Sequence, residues 1–263
     1  MDAGPLALAE KRAPRLAFAL LFLLTSARLV VAAFVGLGDV EAYYWTWSRH
    51  LDLSYYDHPP LIAYLIALTT ALGGDTPFFV RLGPILCTSV TAGLVYLLGS
   101  DLGGNRRTGL RALVLFELIP AFSIGGQGAN PDVPLGLFWV AFLWLLWRAT
   151  TREARALAWP AGLCLGGALL SKYFAVLLGV SALGWLLRRE HRGWWRRPEL
   201  YGALVLALAS LFPILLWNHA HDWPSLRYHL SRHGAAGLSF TQAGMFLGGQ
   251  VLYYSPLLWG GLL

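Results

Sequence analysis

Two carboxylates, Asp39 and Glu41, stand two residues apart where the first long apolar run of the chain ends. In an extended turn such a pair shares a side, so one can take a proton while the other accepts a hydrogen bond, which is the equipment of a general base. An acidic residue at a helix boundary needs no catalytic role, so the pair alone fixes nothing. Asp132, in "GANPDVPLGLFW", falls where a helix starts after Pro131, a position that the helix dipole favours for an acid. Lys172, in "LLSKYFAV", has apolar flanks on both sides and is costly in a membrane unless it pairs, snorkels or meets an anion such as phosphate. Arg28 within the first run and Arg81 at the start of the second are further cations able to hold an anionic group, and Arg28 equally suits a pair inside the bundle. His219 and His221 alternate, and His229 and His233 at i, i+4 share a helix face. No cysteine or helix zinc motif joins them, so no metal site is assigned and a divalent-metal requirement stays open.

These residues sit in a chain of 263 residues that is 57% hydrophobic and 13% charged, with a mean hydropathy of +0.55. A soluble domain carries about a quarter charged residues, so the composition is that of an integral membrane protein. Its net charge of +6 reports orientation before it reports a polyanionic partner, and no nucleic-acid partner is expected. Cys87 and Cys164 lie inside apolar runs without metal-ligand spacing and read as core residues.

Arginine-rich breaks around Lys11 to Arg15, Arg106 to Arg111, Arg148 to Arg155 and Arg188 to Arg197 mark cytoplasmic loops by the positive-inside rule. The apolar runs between them predict about eight spans: Leu16–Leu37, Val80–Leu102, Leu110–Ile124, Val133–Trp147, Leu157–Leu170, Phe174–Leu187, Leu200–Trp217, and Ala243 onward. The first run is too long for a signal-peptide core and is expected to be a retained helix, with the chain starting near Met1. Period-two alternation is missing, so the expected fold is all-α, a polytopic membrane helix bundle forming one domain over residues 1–263. Counting "PPLIAYLIALTTALG" as a span would invert every later loop. It is expected instead as an interfacial or re-entrant helix in a large first outer loop.

With that topology Asp39, Glu41, Asp57, His58, Gln127, Asn130, Asp132, Lys172, Asn218, His219, His221, Asp222, His229 and His233 gather on one membrane face, the outer one. Trp217, Trp223 and Tyr228 fit an interfacial aromatic belt and equally suit a sugar site.

Four stretches in order, "EAYYWTWSRHLDLSYYDHPPLIAYL", "NPDVPLGLFW", "LLSKYFAVLLG" and "WNHAHDWPSLRYH", resemble the bacterial members of the protein O-mannosyltransferase and aminoarabinose-transferase group of GT-C membrane glycosyltransferases. The resemblance implies transfer of a sugar from a polyprenyl-phosphate donor to an acceptor at the outer face of the bacterial inner membrane. It implies an inverting reaction with a first-loop carboxylate as base. Such enzymes usually carry an Asp-Glu pair there. Here Val40 precedes Glu41 and Asp39 lies one residue earlier, so both carboxylates are candidates for the base, with Asp39 preferred. By the same resemblance Lys172, helped by Arg81, is expected on the donor phosphate. Tyr44, Asp57, His58, Gln127, Asn130, Asp132, Tyr173, Asn218, His219 and Trp223 are expected on the substrates. Family members usually continue well beyond this length, so the chain reads as the N-terminal part of such an enzyme or a shortened relative. The competing expectation is a non-catalytic membrane protein of the same fold, namely a lipid-carrier translocator, a transporter or a partner subunit. The sugar and the acceptor are not specified.

Overall fold

The computed structural model describes residues 5–232, 240–255 and 260, which among them contain helices and no strand. In chain order the α-helices are α1 (Pro5–Phe34), α2 (Asp39–Arg49), α3 (Leu61–Gly73), α4 (Pro77–Gly103), α5 (Arg106–Glu117), α6 (Pro120–Ser123) and α7 (Asp132–Thr151). They continue with α8 (Ala158–Ser171), α9 (Val176–Leu186), α10 (Pro198–Ala209), α11 (Phe212–Ala220), α12 (Pro224–Arg232) and α13 (Phe240–Tyr253). The membrane helix bundle expected from composition is the architecture found.

Helix α4 is the hub and packs on α1, α3, α5 and α7, while α7 packs on α8 and α8 on α10. Its start is specified locally: the Thr76 hydroxyl accepts from the Phe79 amide, and Pro77 occupies the first turn, where its missing N–H costs nothing. Gly104, at φ 66°, closes the far end in the left-handed region. Asn105 then caps α5 by accepting from Thr108 N at 2.9 Å. The contact between α8 and α10 is made by backbone: a Cβ on Gly162 would lie 2.4 Å from the Ala203 carbonyl oxygen, so only glycine lets the two helices approach this closely.

The span count differs from the eight expected. Among the described residues, four helical segments are long and apolar enough to cross, Leu8–Phe34, Pro77–Gly103, Asp132–Thr151 and Pro198–Ala220, or five if a bent helix pair counts as one span. The predicted span Leu110–Ile124 is instead a pair of helical pieces bent by 80°. The bend falls at Pro120, which has no N–H for the helical ladder and pushes Ile119 out of helical geometry (φ −86°, ψ 113°). Two other predicted spans become short helices: α8 has 14 residues, and α9 has 11 and follows a single 3-10 turn; the span expected from Ala243 onward lies partly outside the described residues, which give α13 14 residues. Fourteen residues rise about 21 Å, less than the roughly 30 Å of hydrocarbon. Helix α3, with 13 residues, is likewise too short to cross, in keeping with the interfacial or re-entrant helix expected there.

A buried ion pair ties the middle of the bundle together. Arg28, 5% exposed, forms a two-pronged contact with Glu117 and also donates to the Ser123 carbonyl. The in-bundle pairing considered for Arg28 is the one observed.

Candidate functional site

At the end of the bundle away from the arginine clusters, α2 follows its N-cap Gly38 and carries Asp39 and Glu41 in its first turn, an arrangement that the positive helix N-terminus favours. Glu41 is buried and folds back to accept the Gly38 amide at 2.9 Å. Arg81, in the second turn of α4 and 7% exposed, meets it fork to fork: Nε donates to Oε1 at 2.7 Å and Nη2 to Oε2 at 2.5 Å. The same guanidinium donates to the Val35 and Gly36 carbonyls, each at 2.6 Å, satisfying carbonyls that the end of α1 would otherwise leave unbonded. Ala129 N adds a fourth segment at 3.2 Å from Oε1. Burial works to raise the Glu41 pKa, but the Arg81 bonds and charge, with the Gly38 and Ala129 amides, hold it below the ordinary carboxylate value. Arg81, expected on the donor phosphate, is thus engaged with Glu41 and the end of α1. Asp39 is exposed, and its carboxylate has no hydrogen-bond or ion-pair partner among the described residues.

The loop between α2 and α3 places Asp57 under α2. Tyr43 donates its hydroxyl to Asp57 Oδ1 at 3.1 Å, and His58 Nδ1 lies 3.4 Å from Oδ2. Burial pushes the Asp57 pKa upward, but His58 and Tyr43 outweigh it and the net position is below the usual range. Burial and the adjacent Asp57 charge push the Tyr43 phenol up to about 12, so it stays a proton donor at neutral pH. His229, from α12, has Nε2 3.0 Å from the Asp57 carbonyl; a carbonyl only accepts, so Nε2 carries the proton. Tyr44 and His229 lie edge-on to His58, with ring centroids 6.0 and 6.5 Å away, and Tyr173 lies 5.2 Å from His229.

Lys172 follows α8 in extended conformation, and its Nζ is 2.7 Å from Asp132 Oδ1 at the start of α7. The lysine side chain is 23% exposed and the aspartate 65%. Asp132 is also near enough to contribute to the raised Tyr44 pKa, after burial, Asp57 and Tyr43. A chain of neighbours therefore runs from Lys172 and Tyr173 through His229 and His58 to Tyr44, Asp57 and Tyr43. Besides the His229–Asp57 contact, Trp217 Nε1 donates to Asp52 Oδ2 at 2.7 Å and Ser225 Oγ to the Tyr55 carbonyl at 3.0 Å, strapping the α11–α12 segment onto the first loop.

Other expected site residues have local partners. Asn130 accepts the Asp132 amide and donates to the Gly125 and Gly128 carbonyls, which shapes the turn into α7. Gln127 donates to the Ser123 carbonyl. Asn218 is 4% exposed and donates to the Ile214 carbonyl, while its Oδ1, like the Tyr173 hydroxyl oxygen, is buried without a partner among the described residues. His219 is exposed and lies edge-on to Trp223 at 6.4 Å. Asp222 and Trp223 both have left-handed backbones, at φ 61° and 58°, and together they turn the chain into α12. His221 contacts the Trp217 carbonyl, and His233 lies outside the described residues. Among the described residues no three His, Cys, Asp or Glu side chains are grouped to hold a metal ion. Tyr43 and the Asp52–Trp217 strap were missing from the sequence-based site, because pairings 14 and 165 residues apart leave no local pattern.

Residues 57–217 match the family described as dolichyl-phosphate-mannose-protein mannosyltransferase. The chain is 32% identical over 235 residues to lipid A galacturonosyltransferase RgtD of Rhizobium johnstonii, a match covering 82% of this chain and 47% of that protein. It is 31% identical over 239 residues to the undecaprenyl phosphate-alpha-4-amino-4-deoxy-L-arabinose arabinosyl transferase of Pseudomonas paraeruginosa, covering 83% of this chain and 42% of the relative. The chain thus spans about half the length of the curated relatives it matches. In fold it is similar to apo ArnT from Cupriavidus metallidurans, with a TM-score of 0.69 at 19% identity over 94% of this chain and 49% of that one. It is also similar to the donor-bound Pmt1-Pmt2 protein O-mannosyltransferase complex of S. cerevisiae, with a TM-score of 0.52 at 20% identity over 78% and 34% of the two chains.

Proposed function

We propose, for a chain that belongs to the dolichyl-phosphate-mannose-protein mannosyltransferase family, that it takes part in transferring a sugar from a polyprenyl-phosphate carrier to an acceptor hydroxyl at the outer face of the membrane. The observation that carries this reading is the convergence of Asp132, Lys172, Asp57 and His58 among tyrosines at one end of an apolar bundle, where a lipid-borne anionic headgroup would meet polar side chains.

Asp39 is the base in this reading. Both oxygens of Glu41 are already hydrogen-bonded, whereas Asp39 has a free carboxylate on the same helical turn. Asp39 takes the proton of the acceptor hydroxyl, the oxygen attacks the anomeric carbon, and the bond from that carbon to the phosphate oxygen breaks. The electron pair leaves on the lipid phosphate, and the anomeric centre inverts. Phosphate is a competent leaving group, so one carboxylate suffices where a glycosidase needs two. Lys172 carries the charge that develops on the phosphate, exchanging its contact with the more exposed Asp132 for one with the donor. Arg81 is a positioning residue: it holds Glu41 and the end of α1, and through them the first turn of α2. Tyr44, Tyr173, His58, Asn218 and Trp223 line the substrate region, and the unpartnered oxygens of Tyr173 and Asn218 suit sugar hydroxyls.

The test is incubation of the purified protein in lipid with a panel of polyprenyl-phosphate sugars, with and without chelator, following release of polyprenyl phosphate. Release from at least one donor, abolished in a folded Asp39→Asn variant, is the expected result. Failure to bind or turn over any donor would overturn the reading in favour of a non-catalytic role.

A further inference from the structure

At the opposite, arginine-rich end, α1 and α5 border a groove of about 440 Å³ whose wall includes Leu8, Leu16 and Leu110, with Arg12, Arg107 and Arg111 around it. Leu8, Arg12 and Leu16 recur every four residues on α1, and Arg107 and Arg111 do so on α5, so each helix presents one face to the groove. The three guanidiniums have no carboxylate partner among the described residues. Glu10, two residues before Arg12, is committed to the backbone: it accepts the Arg106 amide at 2.7 Å and the Arg107 amide at 3.3 Å. By contrast, Arg148 at the same end pairs with Asp101 and lies over Trp144, and Arg188 pairs with Glu190 and lies over Trp185. Further along α1, whose segment 8–34 is long and apolar enough to cross a membrane, Phe18 and Phe22 are 72% and 68% exposed.

We propose that this groove binds the headgroup of an anionic glycerophospholipid, with its phosphodiester held by Arg12, Arg107 and Arg111 and its acyl chains lying along α1. Planar guanidinium forks match phosphate oxygens in pairs, and the exposed leucines accept the first methylenes of the chains. Three cations exceed the charge of one phosphodiester, so a two-phosphate lipid such as diphosphatidylglycerol is the better charge match. The occupant is a lipid and not a soluble anion because the cations share the groove with the exposed Leu8 and Leu16, at the start of a helix long and apolar enough to cross a membrane.

The test uses the full chain in mixed micelles of neutral detergent with diphosphatidylglycerol, phosphatidylglycerol or phosphatidylcholine, with retained lipid counted by native mass spectrometry. Wild type should retain the anionic lipids over phosphatidylcholine. Each Arg→Gln change should weaken retention about fivefold, and the triple Arg12→Gln, Arg107→Gln, Arg111→Gln variant on the order of 100-fold. The control Arg189→Gln, Arg192→Gln, Arg196→Gln removes equal charge elsewhere at the same end and should retain lipid as wild type does. Equal loss in the control would overturn the proposal in favour of diffuse attraction. So would equal retention of phosphatidylcholine, or displacement of the lipid by millimolar inorganic phosphate. Should the triple variant fail to insert, Arg111→Gln alone gives the reading, and unchanged retention in it overturns the site.

Discussion

Glu41 with Arg81 and Asp132 with Lys172 are both carboxylate–cation contacts at the same end of the bundle, yet they are built differently. The first is buried, two-pronged and joined by four further hydrogen bonds to Val35, Gly36, Gly38 and Ala129. The second is a single 2.7 Å contact between a lysine at a helix end and an aspartate that is mostly in solvent. Removing one partner of a buried pair leaves an uncompensated charge, while an exposed pair contributes about 0–1 kcal/mol and exchanges partners readily. The contrast teaches a division of labour in which the buried pair fixes the backbone and the open pair is available to a ligand.

The sharpest way to break that contrast is at Asp39, which rides on the fixed turn without being part of the buried pair. Asp39→Asn should cut transfer by roughly 10²–10⁴-fold, the range for a general base, and leave thermal unfolding within about 0.5 kcal/mol of wild type. Full activity in Asp39→Asn together with loss in a stably folded Glu41→Gln would exchange the two roles.

Next in size is the buried pair itself. Arg81→Ala or Glu41→Ala should destabilise the protein by about 3–5 kcal/mol, and the double variant by less than the sum of the two. Denaturation in detergent reads this directly, and a loss under 1 kcal/mol would place the pair with the exposed class.

Lys172→Ala should do the reverse: stability changes by no more than about 1 kcal/mol, while release of the lipid phosphate slows about 100-fold at saturating donor. Asp132→Ala should match it in stability and keep most of the turnover.

The smallest effect is on pH. The folded Glu41 carboxyl is held below its ordinary value of 4.5, so its stabilisation is complete above that pH and is lost as pH falls through the folded pKa. Wild type should therefore lose thermal stability on acidification below about pH 4.5, by about 1.4 kcal/mol for each unit of pKa depression. Glu41→Gln should start lower and follow a flatter acid limb; parallel curves would show that Glu41 is not the group responsible.

How much of this was legible beforehand differs by scale. Long apolar runs and arginine breaks were enough to state a helix bundle and to put Asp57, Asp132, Lys172 and Asn218 at one end, because both signals are local to each segment. Pro120 was visible too, but inside Leu110–Ile124 its effect was outweighed in reading by the apolar residues around it, and only the 80° bend shows which won. Arg28 was legible as a candidate for pairing. Its partner Glu117 was not, since 89 residues separate them. The same holds for Glu41 and Arg81, 40 residues apart: which of two neighbouring carboxylates is held and which is free depends on a cation brought in by another helix. Asn130 carried a residue type common in sugar sites, and the turn before α7 uses its bonding groups locally.

The last ligand of Glu41 also sets a schedule for biogenesis. Its contact with the Ala129 amide joins positions 88 residues apart, and at about 5–20 residues per second a ribosome takes roughly 4–18 seconds to make that intervening chain. Until then α2 can dock on α4 through Arg81 but lacks the loop that seats it from the α7 side. The turn that presents Asp39 gains this contact only after Ala129 has been made.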